Sequence, residues 1–171
     1  MEREPISKTL SRFKPEKFVF VISQDENGPC GMVAAWETRV SSNPPLYAVS
    51  LSKKGNTYKV IQKSKKFVIA VPNKALEKEV CYFGSNHGDE VDKFKETNIE
   101  MEKAEKINVP LIKKATFNFE CKLVKEVEVG DHVLIIGEVI VAHYNKGEKI
   151  LLNYGKVGGE RHFIEMPTKP K

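Results

Sequence analysis

Gly31-Met32-Val33-Ala34-Ala35-Trp36, then Val40-Ser41-Ser42-Asn43-Pro44-Pro45-Leu46, then Ser50-Leu51-Ser52-Lys53-Lys54-Gly55-Asn56-Thr57 are the three linked stretches that decide how this chain reads. In order they give a strand of mostly small side chains, a Pro-Pro corner, a second strand, and a basic turn that opens a short helix. Small side chains let a flat ring system come close to the backbone. The turn suits the phosphate end of such a ligand. Asn56 or Thr57 is placed to cap a helix over Thr57-Tyr58-Lys59-Val60-Ile61-Gln62, whose first N–H groups and positive dipole end favour an anion, and Lys53 and Lys54 add charge beside it. An ordinary capped surface helix accounts for the same residues.

Outward from these stretches the periodicity is mostly that of strands. Lys17-Phe18-Val19-Phe20-Val21-Ile22-Ser23 has the length and apolarity of a buried strand, and Asp25-Glu26-Asn27-Gly28 turns it toward a strand over Met32 to Val40. Tyr47 to Leu51 and Phe67 to Val71 are further short β-forming runs. In Ala115-Thr116-Phe117-Asn118-Phe119-Glu120-Cys121-Lys122-Leu123 every second residue is apolar, the pattern of a half-buried antiparallel strand. Glu128-Val129-Gly130-Asp131-His132 then turns into a long strand from Val133 to Tyr144, and Asn145-Lys146-Gly147-Glu148 turns again before Ile150-Leu151-Leu152. Helical spacing is confined to the phosphate turn, to Leu76, Val80 and Phe83, and to Val91 and Phe94. Many strands, few helices and no βαβ alternation predict a closed or nearly closed antiparallel barrel with a helical insertion.

Composition sets outer limits. At 171 residues the chain fits one domain, 1–171, able to bury a full core. With 40% hydrophobic and 30% charged residues it is globular in character, and no apolar run, Val133-Leu134-Ile135-Ile136 included, approaches a bilayer span, so no membrane partner is expected. The charged start Met1-Glu2-Arg3-Glu4-Pro5 carries no apolar signal region, and Cys30, Cys81 and Cys121 form neither a CxxC pair nor an even framework, so a cytoplasmic location is expected. The net charge of +5 raises a nucleic-acid partner, and a noncatalytic basic barrel binding an oligonucleotide is the alternative function. The lysines are spread along the sequence, densest at 63–66, without interleaved aromatic platforms, so a solvated lysine-rich face is the better reading.

Several chemistries are unsupported. No GxGxxG, Walker, HExxH or GxSxG pattern occurs, and His87, His132, His143 and His162 lack metal-ligand spacing, so no metal is expected. Gly155-Lys156-Val157-Gly158-Gly159 reads as a flexible tail loop.

The order of the quoted segments resembles the flavin reductase-like proteins of the FMN-binding split barrel, particularly the flavoredoxin-type branch, over nearly the whole chain from about Phe18 to about Tyr154. The resemblance is carried by Gly31 to Trp36, by Asn43-Pro44-Pro45-Leu46 with Val49-Ser50-Leu51 and Thr57, by Gly84-Ser85-Asn86-His87-Gly88-Asp89-Glu90-Val91-Asp92-Lys93-Phe94, and by Pro110-Leu111-Ile112 with Phe119-Glu120-Cys121 and Gly130-Asp131-His132. It implies a mainly β, antiparallel split β-barrel with a few short helices, homodimeric and binding FMN. The implied activity is that of an FMN-dependent oxidoreductase. Electrons would come from NAD(P)H or a reduced carrier protein and leave to flavin, a ferric chelate or another carrier; a pure electron carrier is the variant. Two departures stand out. Val33-Ala34-Ala35 occupies a place where the family usually has Thr-Ala-Ser, so backbone N–H groups must hold the ring's polar edge. Cys30 stands where asparagine is common and reads either as a redox or metal-substrate thiol or as a small core residue.

The resemblance also distributes roles. Met32, Val33, Ala34, Ala35 and Trp36 would lie along the isoalloxazine, with Trp36 either a flavin contact or a core aromatic. Ser50, Ser52, Lys54, Asn56 and Thr57 would serve the ribityl chain and phosphate. Ser85, His87 and Lys93 belong to a loop closing over the cofactor cleft, or else to a helix cap and a solvated helix face. His132 is the catalytic candidate, placed to bond a nicotinamide carboxamide or assist a proton move; Gly-Asp before a strand is also an ordinary hairpin turn.

Overall fold

The structure, a computed structural model, describes residues 3–88 and 90–169. After a short exposed helix α1 (Ile6–Ser11), β1 (Val19–Asp25) and β2 (Gly28–Ala34) form a hairpin, and β3 (Glu37–Ser42) and β4 (Pro45–Ser52) form a second one around the Pro44-Pro45 corner. Helix α2 (Asn56–Ser64) leads to β5 (Lys66–Val71). Helices α3 (Glu77–Ser85) and α4 (Lys93–Thr97) and the short paired strands β6 (Met101–Glu102) and β7 (Leu111–Ile112) make the insertion. The long hairpin β8 (Phe117–Val129) and β9 (His132–Tyr144) follows, and β10 (Ile150–Val157) with β11 (Glu160–Met166) ends the fold.

Seven strands form one antiparallel sheet in the order β2-β1-β5-β8-β9-β4-β3. Its two edges, β2 and β3, are consecutive in the chain and only Ala35 and Trp36 lie between them. The sheet must therefore curl until its edges meet, which makes a barrel with a split seam. The Ser50 N–H donates to the Trp36 carbonyl at 2.9 Å, tying the link across to β4. The strand expected over Met32 to Val40 is thus broken at this link. Strand β5, the run Phe67 to Val71 with Lys66 before it, is internal and paired with β1 and β8, so the edges belong to β2 and β3.

β1 and β5 read as unbroken apolar runs because both of their faces are buried. One face, with Val21, Ile69, Phe67, Leu51 and Ile135, fills the barrel. The other, with Phe20, Ile22, Val68 and Ala70, packs under α3 and α4. There Phe83 meets Phe20 and Phe94 edge-on at centroid distances of 5.3 and 5.1 Å, and each such ring contributes on the order of 2 kcal/mol through burial.

Strand β8 reverses the simplest reading of its alternation. The polar residues Thr116, Asn118 and Glu120 are the buried ones, while Phe117 and Phe119 are only half-buried. The reason is that the loop before β8 brings unpaired backbone groups onto that face. The Glu120 carboxylate accepts the N–H groups of Glu105, Lys106 and Ile107 at 2.7, 2.8 and 3.2 Å and contacts His143 Nε2 at 2.8 Å. Asn118 exchanges two bonds of 3.0 Å with the Ile112 backbone, and Thr116 donates to the Lys149 carbonyl at 2.6 Å. Buried polar groups with these partners hold a segment that has little regular structure of its own. The tail loop expected at 155–159 is also corrected. Gly158 and Gly159, at φ +61° and +90°, turn β10 into β11, conformations that glycine adopts without strain.

Candidate functional site

Helix α2 begins after Gly55, whose backbone is extended, and no side chain caps it; neither Asn56 nor Thr57 plays the expected capping role. The first intrahelical bond runs from the Lys59 N–H to the Gly55 carbonyl, so the N–H groups of the first turn have no side-chain acceptor. This end opens on a cavity of about 360 Å³ lined by Cys30, Gly31, Asn56, Gly88 and Lys93, with the carboxylates of Asp25 and Glu90 also on its wall. Lys93 is only 5% exposed and its Nζ donates to the Phe83 carbonyl at 2.9 Å, so the solvated-face reading of Lys93 is corrected. Asp92 accepts the N–H groups of Phe94 and Lys95, each at 3.1 Å, and fixes the start of α4 from which Lys93 projects. Asp89, quoted with this loop, lies outside the described residues.

Cys30 borders the same cavity. Burial pushes its thiol up to about 11, against a hydrogen bond from Thr57. It is therefore protonated at neutral pH. Thr57 is buried, and its hydroxyl serves this thiol.

Along the end of β2 the side chains alternate. Met32 and Ala34 pack with the barrel interior, Val33 and Ala35 with the outer cluster. A Cβ at Gly31 would lie 3.2 and 3.3 Å from the Phe94 and Phe83 rings and 3.3 Å from the Val21 carbonyl, so a side chain there would crowd both rings and make them shift by a few tenths of an ångström. Being an edge, β2 turns every second N–H and C=O away from β1.

Trp36 is 63% exposed, which removes the core-aromatic reading. Its indole lies 4.9 Å, centroid to centroid, from the imidazole of His132. His132 opens β9 opposite Ser52, and its Nδ1 is 2.7 Å from Asp131 Oδ1, a bond that holds the Asp131 carboxyl below the usual range. The Lys54 N–H reaches Ser52 Oγ at 3.4 Å, and the Lys54 side chain is exposed. Trp36, Ser50, Ser52 and His132 thus share one rim, and Asn56 and Lys93 share the cavity beside it. Ser85 instead joins Val33, Ala35, Cys81 and Arg161 around a smaller cavity of about 190 Å³ on the outer side of β2. His87 is exposed, and its carbonyl accepts from Glu90 and Val91. The crowding of Gly31 by Phe83 and Phe94 is not legible in the sequence, which marks only the small side chains of its stretch.

An uncapped helix end, the buried Lys93 and the Asn56 amide make a donor set that fits a phosphate, and the open edge of β2 offers fixed donors and acceptors to a planar ring system. Residues 11–159 match the family described as Flavin reductase like domain. The chain belongs to the flavin reductase-like family. It is 31% identical over 136 residues to a ferric-chelate reductase (NAD(P)H) of Archaeoglobus fulgidus, covering 78% of this chain and 79% of that protein. It is 30% identical over 125 residues to an NADH-dependent FAD reductase of Streptomyces globisporus, covering 72% and 68%. Among solved structures, an FMN-binding protein from Thermus thermophilus with bound p-hydroxybenzaldehyde superposes with a TM-score of 0.82 at 26% identity, covering 100% of this chain and 98% of that one. This family member is a flavin-linked oxidoreductase with the mainly β split-barrel fold, and the oligonucleotide alternative gains no support. Among the described residues no helix is long and apolar enough to cross a membrane.

Proposed function

We propose that this flavin reductase-like chain, working as one domain over 1–171, binds FMN and uses it to pass electrons from NADH or NADPH to a free flavin, a ferric chelate or another carrier. The observation that carries the reading is the uncapped start of α2, which opens on the cavity holding Asn56 and Lys93 beside the Trp36 and His132 rim. Lys54, Lys93, Asn56 and the first N–H groups of α2 would hold the phosphate, with Ser50 and Ser52 along the ribityl chain. Backbone groups from Met32 through Val33, Ala34 and Ala35 to Trp36 would hold the ring's polar edge, where negative charge builds on reduction. The flavin supplies the hydride and electron chemistry. His132, oriented by Asp131, would position the donor's carboxamide. Ser85 borders the cavity on the outer side of β2 and would meet the ring only from there, while the exposed His87, next to Gly88 of the main cavity wall, would belong to the loop closing over the cleft.

The test is direct. Protein purified without added cofactor should be yellow, release FMN on denaturation, and lose its colour anaerobically with a reduced nicotinamide. A colourless protein that takes up no flavin would sink the reading.

The same reading makes the chain a homodimer. Phe117, Phe119 and Tyr144 stack in a row, with Phe119 also on Tyr47, and the groove of about 590 Å³ beside them is only partly covered. A second copy would cover it and the β3 edge. Sedimentation should give twice the chain mass at micromolar concentration, and a flavin-loaded monomer there would contradict it.

A further inference from the structure

Residues 53–66 carry six lysines, Lys53, Lys54, Lys59, Lys63, Lys65 and Lys66, and no carboxylate. They lie on the turn before α2, on α2 and its C-terminal end, and at the first residue of β5. Helix α2 buries Thr57, Tyr58, Val60 and Ile61, so Lys59 and Lys63, four residues apart, stand together on its solvent face. Lys66 lies directly opposite Lys122 of β8. The neighbouring strand returns two carboxylates. Glu128 pairs with Lys53 at 2.6 Å, and Glu126 is occupied by Tyr58, Gln62 and Lys65. Among the described residues no carboxylate pairs with Lys54, Lys59, Lys63, Lys66 or Lys122, whereas Lys17, Lys74, Lys113 and Lys114 each have one. Net positive charge is therefore left on the helix whose first turn borders the candidate site, while Lys122 at its margin also faces Glu138 of β9.

We propose that the exposed face of α2 with Lys66 and Lys122 is a docking surface for a small acidic electron-carrier protein, which exchanges electrons with the flavin bound at the adjoining site. The proposal rests on the flavin reading given above. Charge complementarity picks out the partner. Lysine ammonium groups on flexible stems favour fast, loosely oriented encounters, which suit a carrier that must leave after each turnover. A nucleic acid fits less well, because segment 53–66 has no arginine and its one aromatic, Tyr58, is buried. Each reduced carrier gives up one electron and leaves oxidised; two dockings and protons from water complete the reduction of one flavin.

The probe is an acidic [2Fe–2S] ferredoxin, and the variant is Lys59→Glu with Lys63→Glu, both exposed helix positions outside the site. In stopped flow, the rate of electron transfer from reduced ferredoxin to flavin-loaded protein should fall steeply with added salt and drop roughly tenfold or more in the variant. Flavin content and deazaflavin photoreduction should match wild type. On flavin-free protein, oxidised ferredoxin should shift the amide resonances of α2, so docking is read even where flavin loading fails, and loading failure counts against the flavin reading alone. Resonances and rates indifferent to salt and to the charge reversal would overturn the proposal, and so would a short duplex oligonucleotide that outcompetes the ferredoxin for α2.

Discussion

The rings of Trp36 and His132 lie 4.9 Å apart, one on the link that closes the barrel and the other at the first residue of β9. Trp36 is the only tryptophan, so the whole indole emission of the protein reports on this rim. Adding FMN to flavin-free protein should quench that emission strongly, because a flavin held along β2 would sit close to the indole. Emission that stays constant while flavin binds would place the cofactor elsewhere.

His132→Ala should slow reduction of the flavin by a reduced nicotinamide by roughly 10²-fold or more, the usual effect of losing a positioned hydrogen-bonding or proton-transferring group. Dithionite needs no nicotinamide site, so reduction by it, and the flavin content, should be nearly unchanged. Stopped-flow traces with both reductants decide this, and an equal loss with each would show that His132 acts on the flavin pocket as a whole.

Lys54→Ala combined with Asn56→Ala removes one charge and one amide from the uncapped start of α2 while sparing Thr57, whose hydroxyl is tied to Cys30. FMN affinity should fall about tenfold, in keeping with charge-assisted bonds at a helix N-terminus. Riboflavin, lacking the phosphate, should lose little. Equal losses in titration calorimetry would move the phosphate away from this turn.

The Glu120 clamp predicts acid sensitivity. Burial works against its charge, but the N–H groups of Glu105, Lys106 and Ile107 and the ring of His143 hold the carboxyl below its usual range. A depressed folded-state value means the stabilisation is full above the ordinary carboxylate range and is lost as the pH falls through the folded-state value. Glu120→Ala should cost about 3–5 kcal/mol near neutral pH, since it strands buried donors. Thermal midpoints of wild type and Glu120→Gln should converge as the pH is lowered, and a gap that stays constant into acid would show that the charge contributes nothing.

Sequence periodicity suffices for β1 and β5 because a doubly buried strand leaves an unbroken apolar run, and the Asn27-Gly28 and Gly130-Asp131 turns mark the β1–β2 and β8–β9 hairpins. It failed at β8, where alternation marks two different faces without saying what covers each; the backbone donors that bury Glu120 lie in a loop with no pattern of its own. The site divided the same way. Asn56 and Lys54 were visible as a basic turn, while the burial of Lys93 depends on how α3 and α4 pack, and the exposure of Trp36 depends on where the barrel seam falls.

That seam also sets the entropy of assembly. Hairpin partners such as Asp25 and Gly28 meet across a two-residue turn, but β4 joins β9 through Leu46 and Glu138, far apart in the chain. Closing a long loop costs only about 0.6 kcal/mol more for each doubling of its length. The two-residue tether through Ala35 and Trp36 therefore brings β2 and β3 together at the seam at little further cost in chain entropy.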